Sequence, residues 1–349
     1  MNTSSANLPA PNRPVVLTMG DPAGIGPEII VKAFRERPEL LTQVVVAGDM
    51  ETLRKAALLL TALSSPLMLA EIAELADLPA VPPGCLAVVQ ACRLSQPVEI
   101  GRISEHAGRA AADCIEWAAK AALLGDAKAV VTAPIHKEAL AAAGIRHPGH
   151  TEMLQAISAA YQGAPVARLP VRMMLSCPGL STVLVSIHVS LRQALDAVTT
   201  ERVLQTIRIT HAHFLRGGVV QPRIAVAGLN PHAGEGGLFG LEDRDFIAPA
   251  IDFARQEGMD ASGPHAPDTV FMRARQGSFD VVVAMYHDQG LIPVKLLGLD
   301  HGVNTTLGLP FVRTSPDHGT AFDIAGTGRA SASSLVAAID AALAATSTS

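Results

Sequence analysis

Short runs of β-branched residues alternate along this chain with alanine-rich stretches, and that alternation constrains the fold more than any other feature. "RPVVLTM", "TQVVVAGD", "AKAVVTAPI", "VRMMLSC", "TVLVSIH", "PRIAVAGLN" and "FDVVVAMYH" each read as a strand. Between them lie "AGRAAADCIEWAAKAALLG", with Gly125 as its stop, and "SLRQALDAVTTERVLQTIRITHAHFLR", both of helical pattern. Apolar strands of this kind need cover on both faces, which predicts an α/β architecture with mostly buried strands. At 349 residues the chain is long enough for two such domains.

Composition narrows the function class. Hydrophobic residues make up 49% and charged residues 17%, the balance of a core-rich globular protein. No apolar run reaches the roughly 18 residues of a membrane span, so no membrane partner is expected. A net charge of −5 without a basic cluster argues against nucleic acid. Residues 1–13 lack the basic and apolar regions of a signal peptide and read as a disordered tail. Cys85, Cys92, Cys114 and Cys177 form no CxxC pair and read as reduced thiols of a cytoplasmic enzyme, small hydrophobes rather than ligands.

"GDPAGIGPE" (20–28) follows the first strand, but Gly20, Gly24 and Gly26 do not have Rossmann spacing and no Lys follows as in a Walker A loop. A tight strand-to-helix turn with Pro27 in the first helical turn accounts for it. A sharper pattern lies further on, where three strands run out into a histidine: His188, His232 and His287. Ligands gather at the carboxyl ends of strands in α/β sheets. Three imidazoles there would form an open three-ligand site, suited to zinc or cobalt more than to magnesium. Each histidine taken alone also reads as an ordinary hydrogen-bonded strand-end residue. His211 and His213 are two apart on a helix, share no face, and read as surface residues.

Groups suited to an anion accompany the histidines. "GHTE" (149–152) is a glycine turn into a helix, with His150 beside Thr151 as a candidate cap. Lys295, Asn304 and Arg313 follow His287; Arg forks onto carboxylate or phosphate, and Lys adds a point charge. Ordinary surface charge is the competing reading.

"GDPAGIGPE", "PGHTE", "GLNPHAGEGG", "AMYHDQG", "GLPFVRTS" and "DHGTAFDIAGTG" together resemble the 4-hydroxythreonine-4-phosphate dehydrogenases, the PdxA family of vitamin B6 synthesis, over nearly the whole chain. The resemblance implies a two-domain isocitrate/isopropylmalate dehydrogenase-like fold with the active site in the interdomain cleft. Residues 14–145 plus 295–349 would form the larger domain with the cofactor site. Residues 146–294 would form the second, with the dimer interface and the metal ligands. It implies a divalent ion (Zn, Co or Mg) on His188, His232 and His287, and substrate contacts from His150, Thr151, Lys295, Asn304 and Arg313. "HGTAFDIAG" is similar to the stretch that holds the adenosine side of NAD, which implies a cofactor site at His318, Gly319, Thr320, Ala321 and Asp323, with NADP possible. The family forms homodimers with a shared active site.

The implied reaction is oxidation of a secondary hydroxyl of a phosphorylated small molecule to a 3-keto acid, which then decarboxylates. Lys295 and Asp268 are the candidates for proton transfer, Asp268 alternatively orienting a histidine. "GLNPHAGEGG" and "NTTLGLPFVRTS" fit the biosynthetic branch, whose substrate is 4-phosphooxy-L-threonine. "HVSLRQALDAVT", "GGLFGLED", "DTVFMRA" and "IPVKLLG" are similar to a catabolic sibling acting on 4-phospho-D-threonate or 4-phospho-D-erythronate. A metal-dependent binding protein or a zinc hydrolase would share the three histidines, yet neither accounts for residues 318–326.

Overall fold

The computed structural model describes residues 13–60, 66–94, 96–298 and 301–347; the expected N-terminal tail lies outside them except for Arg13. The chain forms two compact units, one running to Leu169 and resuming at Leu309, the other spanning Pro170–Gly308. Both are α/β, as the strand and helix patterning predicts.

The first unit begins with β1 (Val15–Thr18), α1 (Gly26–Glu36), β2 (Val44–Gly48), α2 (Met50–Leu59), β3 (Met68–Ile72) and β4 (Cys85–Gln90). It continues through α3 (Glu105–Leu124), β5 (Ala129–Thr132), α4 (Lys137–Ala142) and α5 (His150–Tyr161). The second unit holds β6 (Arg172–Cys177), β7 (Leu180–Leu184), α6 (Leu191–Ala197), α7 (Thr200–Arg216), β8 (Ile224–Ala227) and α8 (Ala248–Gln256). There follow β9 (Ala261–His265), α9 (Pro267–Arg275), β10 (Val281–Ala284), α10 (His287–Leu297) and β11 (Val303–Leu307). The chain then returns to the first unit as β12 (Val312–Pro316) and α11 (Ser333–Ala344).

Strands of the first unit lie side by side in the order β3-β4-β2-β1-β5-β12, every pair parallel. β1, β2 and β5 are buried along their whole length, which explains their unbroken valine runs. The alanine-rich α3 starts on the Ser104 hydroxyl, which accepts from Ala107 N at 3.1 Å, and stops at Gly125 in the left-handed conformation (φ 82°). In the second unit the order is β11-β6-β7-β10-β8-β9, antiparallel as far as β7 and parallel from there.

The domain boundaries differ from 145/146 and 294/295. Residues 146–169 belong with the first unit because α5 packs on α3. Residues 295–308 belong with the second because β11 pairs along its length with β6. The long helical stretch after Ser190 is two helices, since Thr199 Oγ1 accepts from Arg202 N and starts a new one at α7. His213 on that helix is half-buried, not on the surface, and burial with nearby Arg216 pushes its pKa down to about 4.

"GDPAGIGPE" turns out to be a clamp on the loop after β12. Ile25 N donates to Thr320 O at 3.0 Å, and Glu28, 2% exposed, accepts from Ala330 N at 3.0 Å. Lys32, paired with Glu28 at 3.2 Å, donates to Gly328 O at 2.6 Å. Gly24 permits this approach: a Cβ there would lie 2.9 Å from Thr320 Cβ and 3.1 Å from its carbonyl oxygen.

Two outcomes follow. Gly24→Ala will cost about 1–3 kcal/mol of stability by overpacking, read from urea denaturation; an unchanged midpoint would show that the loop yields freely. His213 binds its proton more weakly folded than unfolded, so it favours the native state above about pH 6.5 and that contribution is lost as pH falls toward about 4. His213→Gln will flatten the decline of unfolding free energy across that window, and an identical decline in both proteins would contradict the assignment.

Candidate active site

β7, β10 and β8 are adjacent and parallel, so the residues that follow them leave the same edge of the second unit. Those residues lead to His188, His287 and His232. Their backbone is unusual. His188 (φ 51°) and His232 (φ 53°) are left-handed, and His232 opens a run of five left-handed residues through Gly236. Non-glycine residues in that region cost about 1–2 kcal/mol each, so the surroundings must impose the shape. Asp243, 2% exposed, does so by accepting from Leu229 N at 2.7 Å, Asn230 N at 3.0 Å and Asn230 Nδ2 at 2.9 Å.

The structure brings two of the three predicted ligands together. The rings of His188 and His287 lie 5.7 Å apart, beside a cavity of about 330 Å³ that Ser186, Tyr286 and Asp288 also line. The Asp288 carboxylate lies 2.7 Å from His287 Nδ1. A proton on Nδ1 shared with that carboxylate leaves Nε2 as the lone-pair nitrogen, the form that binds metals. The His232 ring stands instead against Phe239, at 6.1 Å. Among the described residues no three His, Cys, Asp or Glu side chains converge closely enough to hold an ion, so the expected triad is not formed within one chain. The strand edge is shared; the convergence is not.

In the first unit β12 runs beside β5 and delivers Arg313, 3% exposed, whose Nη2 donates to Thr132 Oγ1 at 2.7 Å. Burial pulls the Arg313 pKa down to about 10, against the opposing field of Glu152. His150 and Thr151 are the first two residues of α5, and Gly149 takes the cap position, so Thr151 is not the cap. His150 Nε2 is buried without a hydrogen-bond partner among the described residues. Burial first, and the Arg313 charge second, hold His150 well below the ordinary histidine pKa. A neutral imidazole, a guanidinium and the N–H groups of a helix's first turn form a donor set for an anion.

Of the expected cofactor residues, Thr320 is buried against Gly24, while His318, Gly319 and Asp323 are exposed. Ala321 is left-handed (φ 41°), and Phe322 after it stacks on His136 at 4.8 Å. A cavity of about 260 Å³ lined by Pro27, Lys55, Leu59, Val98, Ile100 and Gly326 opens beside this loop.

The remaining predicted residues scatter. Asn304 lies in β11 opposite Leu175. Asp268 is exposed on the first turn of α9, which packs against the His232 turn. Lys295 is on the last turn of α10, whose first residue is His287. Eight helical steps set the two about 12 Å apart along the axis, so Lys295 is not beside His287 of its own chain. The sequence reading missed Asp243, Gln289 and Ser186, which look unremarkable until the strand order is known.

The chain matches the family described as pyridoxal phosphate biosynthetic protein PdxA over residues 39–342. It is 52% identical to a 4-hydroxythreonine-4-phosphate dehydrogenase of Beijerinckia indica, over 94% of each chain. A D-threonate 4-phosphate dehydrogenase of Salmonella typhimurium is 47% identical over 94% of this chain and 98% of its own. Among solved structures, a 4-hydroxythreonine-4-phosphate dehydrogenase from Klebsiella pneumoniae superposes with a TM-score of 0.86 at 43% identity, covering 96% of this chain and 99% of that one. Fold and motifs together define a two-unit α/β oxidoreductase of the dehydrogenase type. The chain belongs to the PdxA family. No helix among the described residues is long and apolar enough to cross a membrane.

His150 will remain uncharged at pH 6.5, where an exposed histidine is half protonated. Its imidazole NMR resonances read this directly, and titration at the ordinary value would contradict the buried, Arg-facing placement.

Proposed function

We propose that this chain oxidises the C3 hydroxyl of 4-phosphooxy-L-threonine with NAD as hydride acceptor. The 3-keto acid formed decarboxylates to 3-amino-2-oxopropyl phosphate, a step of pyridoxal phosphate synthesis. The carrying observation is the donor set of buried Arg313 and neutral His150 at the first turn of α5, which suits a phosphate monoester. The 52% identity to an enzyme named for that substrate supports the choice. A second reading, oxidation of 4-phospho-D-threonate, is favoured by the 47% identity to an enzyme of that name.

The helix N–H groups, Thr151 and Arg313 hold the phosphate. Because His150 stays neutral, it donates a hydrogen bond without adding charge. Asn304 and Lys295 contact the remainder of the substrate. Lys295 and Asp268 are the candidates to take the hydroxyl proton.

The residue chemistry fits the two absent groups, the ion's ligand set being complete only with a second copy of the chain. For the dinucleotide, exposed Asp323 offers a carboxylate to a ribose, the open backbone at His318 and Gly319 lies beside it, and Thr320 and Ala321 fix the loop. The apolar cavity next to Gly326 has room for a purine. The same carboxylate disfavours the extra phosphate of NADP. For the divalent ion, His188, His287 and His232 supply three imidazoles from adjacent strand ends, a donor chemistry suited to zinc or cobalt. When bound, the ion would lower the pKa of the substrate hydroxyl and stabilise the enolate left by decarboxylation.

We further propose that the site is completed in a homodimer. The distance of Lys295 from His287 and the incomplete triad of a single chain both support this. Large apolar side chains stand exposed on either side of the histidines, Leu191 at 61% and Leu238 at 73% among them, with Phe239 and Leu241.

NADH formation at 340 nm on the two candidate substrates in parallel tests the reading. At least tenfold higher kcat/KM on 4-phosphooxy-L-threonine is expected. The reverse preference would transfer the chain to the second reading, and no turnover of either would remove the substrate class. Lys295→Ala will cut kcat by about 10²-fold or more while metal binding persists; near-normal turnover would exclude Lys295 from proton transfer.

A further inference from the structure

The three histidine-bearing strand ends are joined by side chains where the backbone ladder stops. β7 and β10 continue one bond past their ends, from Val185 N to Ala284 O at 2.9 Å. Beyond that point Met285 has both backbone groups taken by side chains. Its carbonyl accepts from Ser186 Oγ at 2.9 Å, and its N–H donates to Gln289 Oε1 at 2.7 Å. Gln289 then crosses to the third strand end, its Nε2 donating to Gly228 O at 2.7 Å. Ser186 and Gln289 are 2% and 9% exposed, so water does not compete for these bonds.

The positions of the ties matter. Ser186 lies two residues before His188, Met285 two before His287, and Gly228 four before His232. One serine hydroxyl and one carboxamide thereby set the spacing of three loop origins. A carboxamide is suited to this role because it donates and accepts at once without carrying charge. Its two partners are buried backbone groups of opposite kind, which no apolar side chain could satisfy.

We infer that Gln289, with Ser186, is a positioning residue that fixes the strand ends from which His188, His287 and His232 are presented to a divalent ion in the homodimer. Gln289 touches neither ion nor substrate; it acts through the strand ends. The inference rests on the three-histidine reading above, and the experiment separates the two.

Co²⁺ is titrated into the purified full-length protein and its visible d–d absorption followed, with thermal unfolding of the metal-free protein measured alongside. The wild type will bind with a defined spectrum that His188→Ala abolishes. Gln289→Met, similar in volume but without either bond, will bind Co²⁺ about 10–100-fold more weakly and with altered bands. Gln289→Glu keeps an acceptor for Met285 N and will fall between the two. Ser186→Ala gives the same readout from the other tie, and it carries the test if Gln289→Met does not fold. Wild-type affinity and spectrum in folded Gln289→Met and Ser186→Ala would overturn the positioning role while leaving the histidine site intact. No Co²⁺ binding by the wild type would overturn both.

Discussion

A parallel strand that ends in a sheet leaves backbone N–H and C=O groups without ladder partners, and buried groups of that kind must be satisfied. Much of this molecule's functional edge follows from that requirement. In the second unit Ser186, Gln289 and Asp243 supply the missing bonds just past β10 and β8. In the first, Asp21, fully buried past β1, accepts from Ala23 N at 2.8 Å. Satisfying the strand ends with side chains fixes where the next residues point, and the next residues are the histidines of the second unit and the glycine clamp of the first.

The clamp shows how a glycine-rich motif can serve to hold a distant loop. Gly24, Ile25, Glu28 and Lys32 are spent on residues 320–330 rather than on phosphate oxygens. The loop so held presents His318, Gly319 and Asp323 to solvent while burying Thr320. The loop and its support are thus separated by almost the whole sequence, and the parallel arrangement of the first unit's strands brings them together.

What could be read from sequence follows from burial. Strands covered on both faces carry short apolar runs rich in valine, isoleucine and alanine, so β1, β2, β5, β8 and β10 are legible in the sequence. β3 is largely exposed, and β9 reads Ala-Ser-Gly-Pro-His, so neither has that signal. The break before α7 is hidden because a single Thr199 cap interrupts an otherwise continuous helical pattern. The histidines announced themselves by position, each just past an apolar run, and the sheet order then placed their strands side by side. Their ties could not be read, because Gln289 and Gly228 are neighbours only once β10 and β8 are known to pair. Lys295 reads from sequence as a point charge soon after His287, and the helical rise that separates the two is not displayed by their spacing alone.

We propose that the strand edge of the second unit carries a metal-dependent catalytic centre completed by a second copy of the chain. Anomalous diffraction at the zinc edge from crystals of the metal-loaded protein tests it most directly. The account predicts one strong peak per chain, coordinated by His188, His287 and His232, at an interface between two copies. A peak elsewhere, or a full set of ligands from one isolated chain, would contradict it.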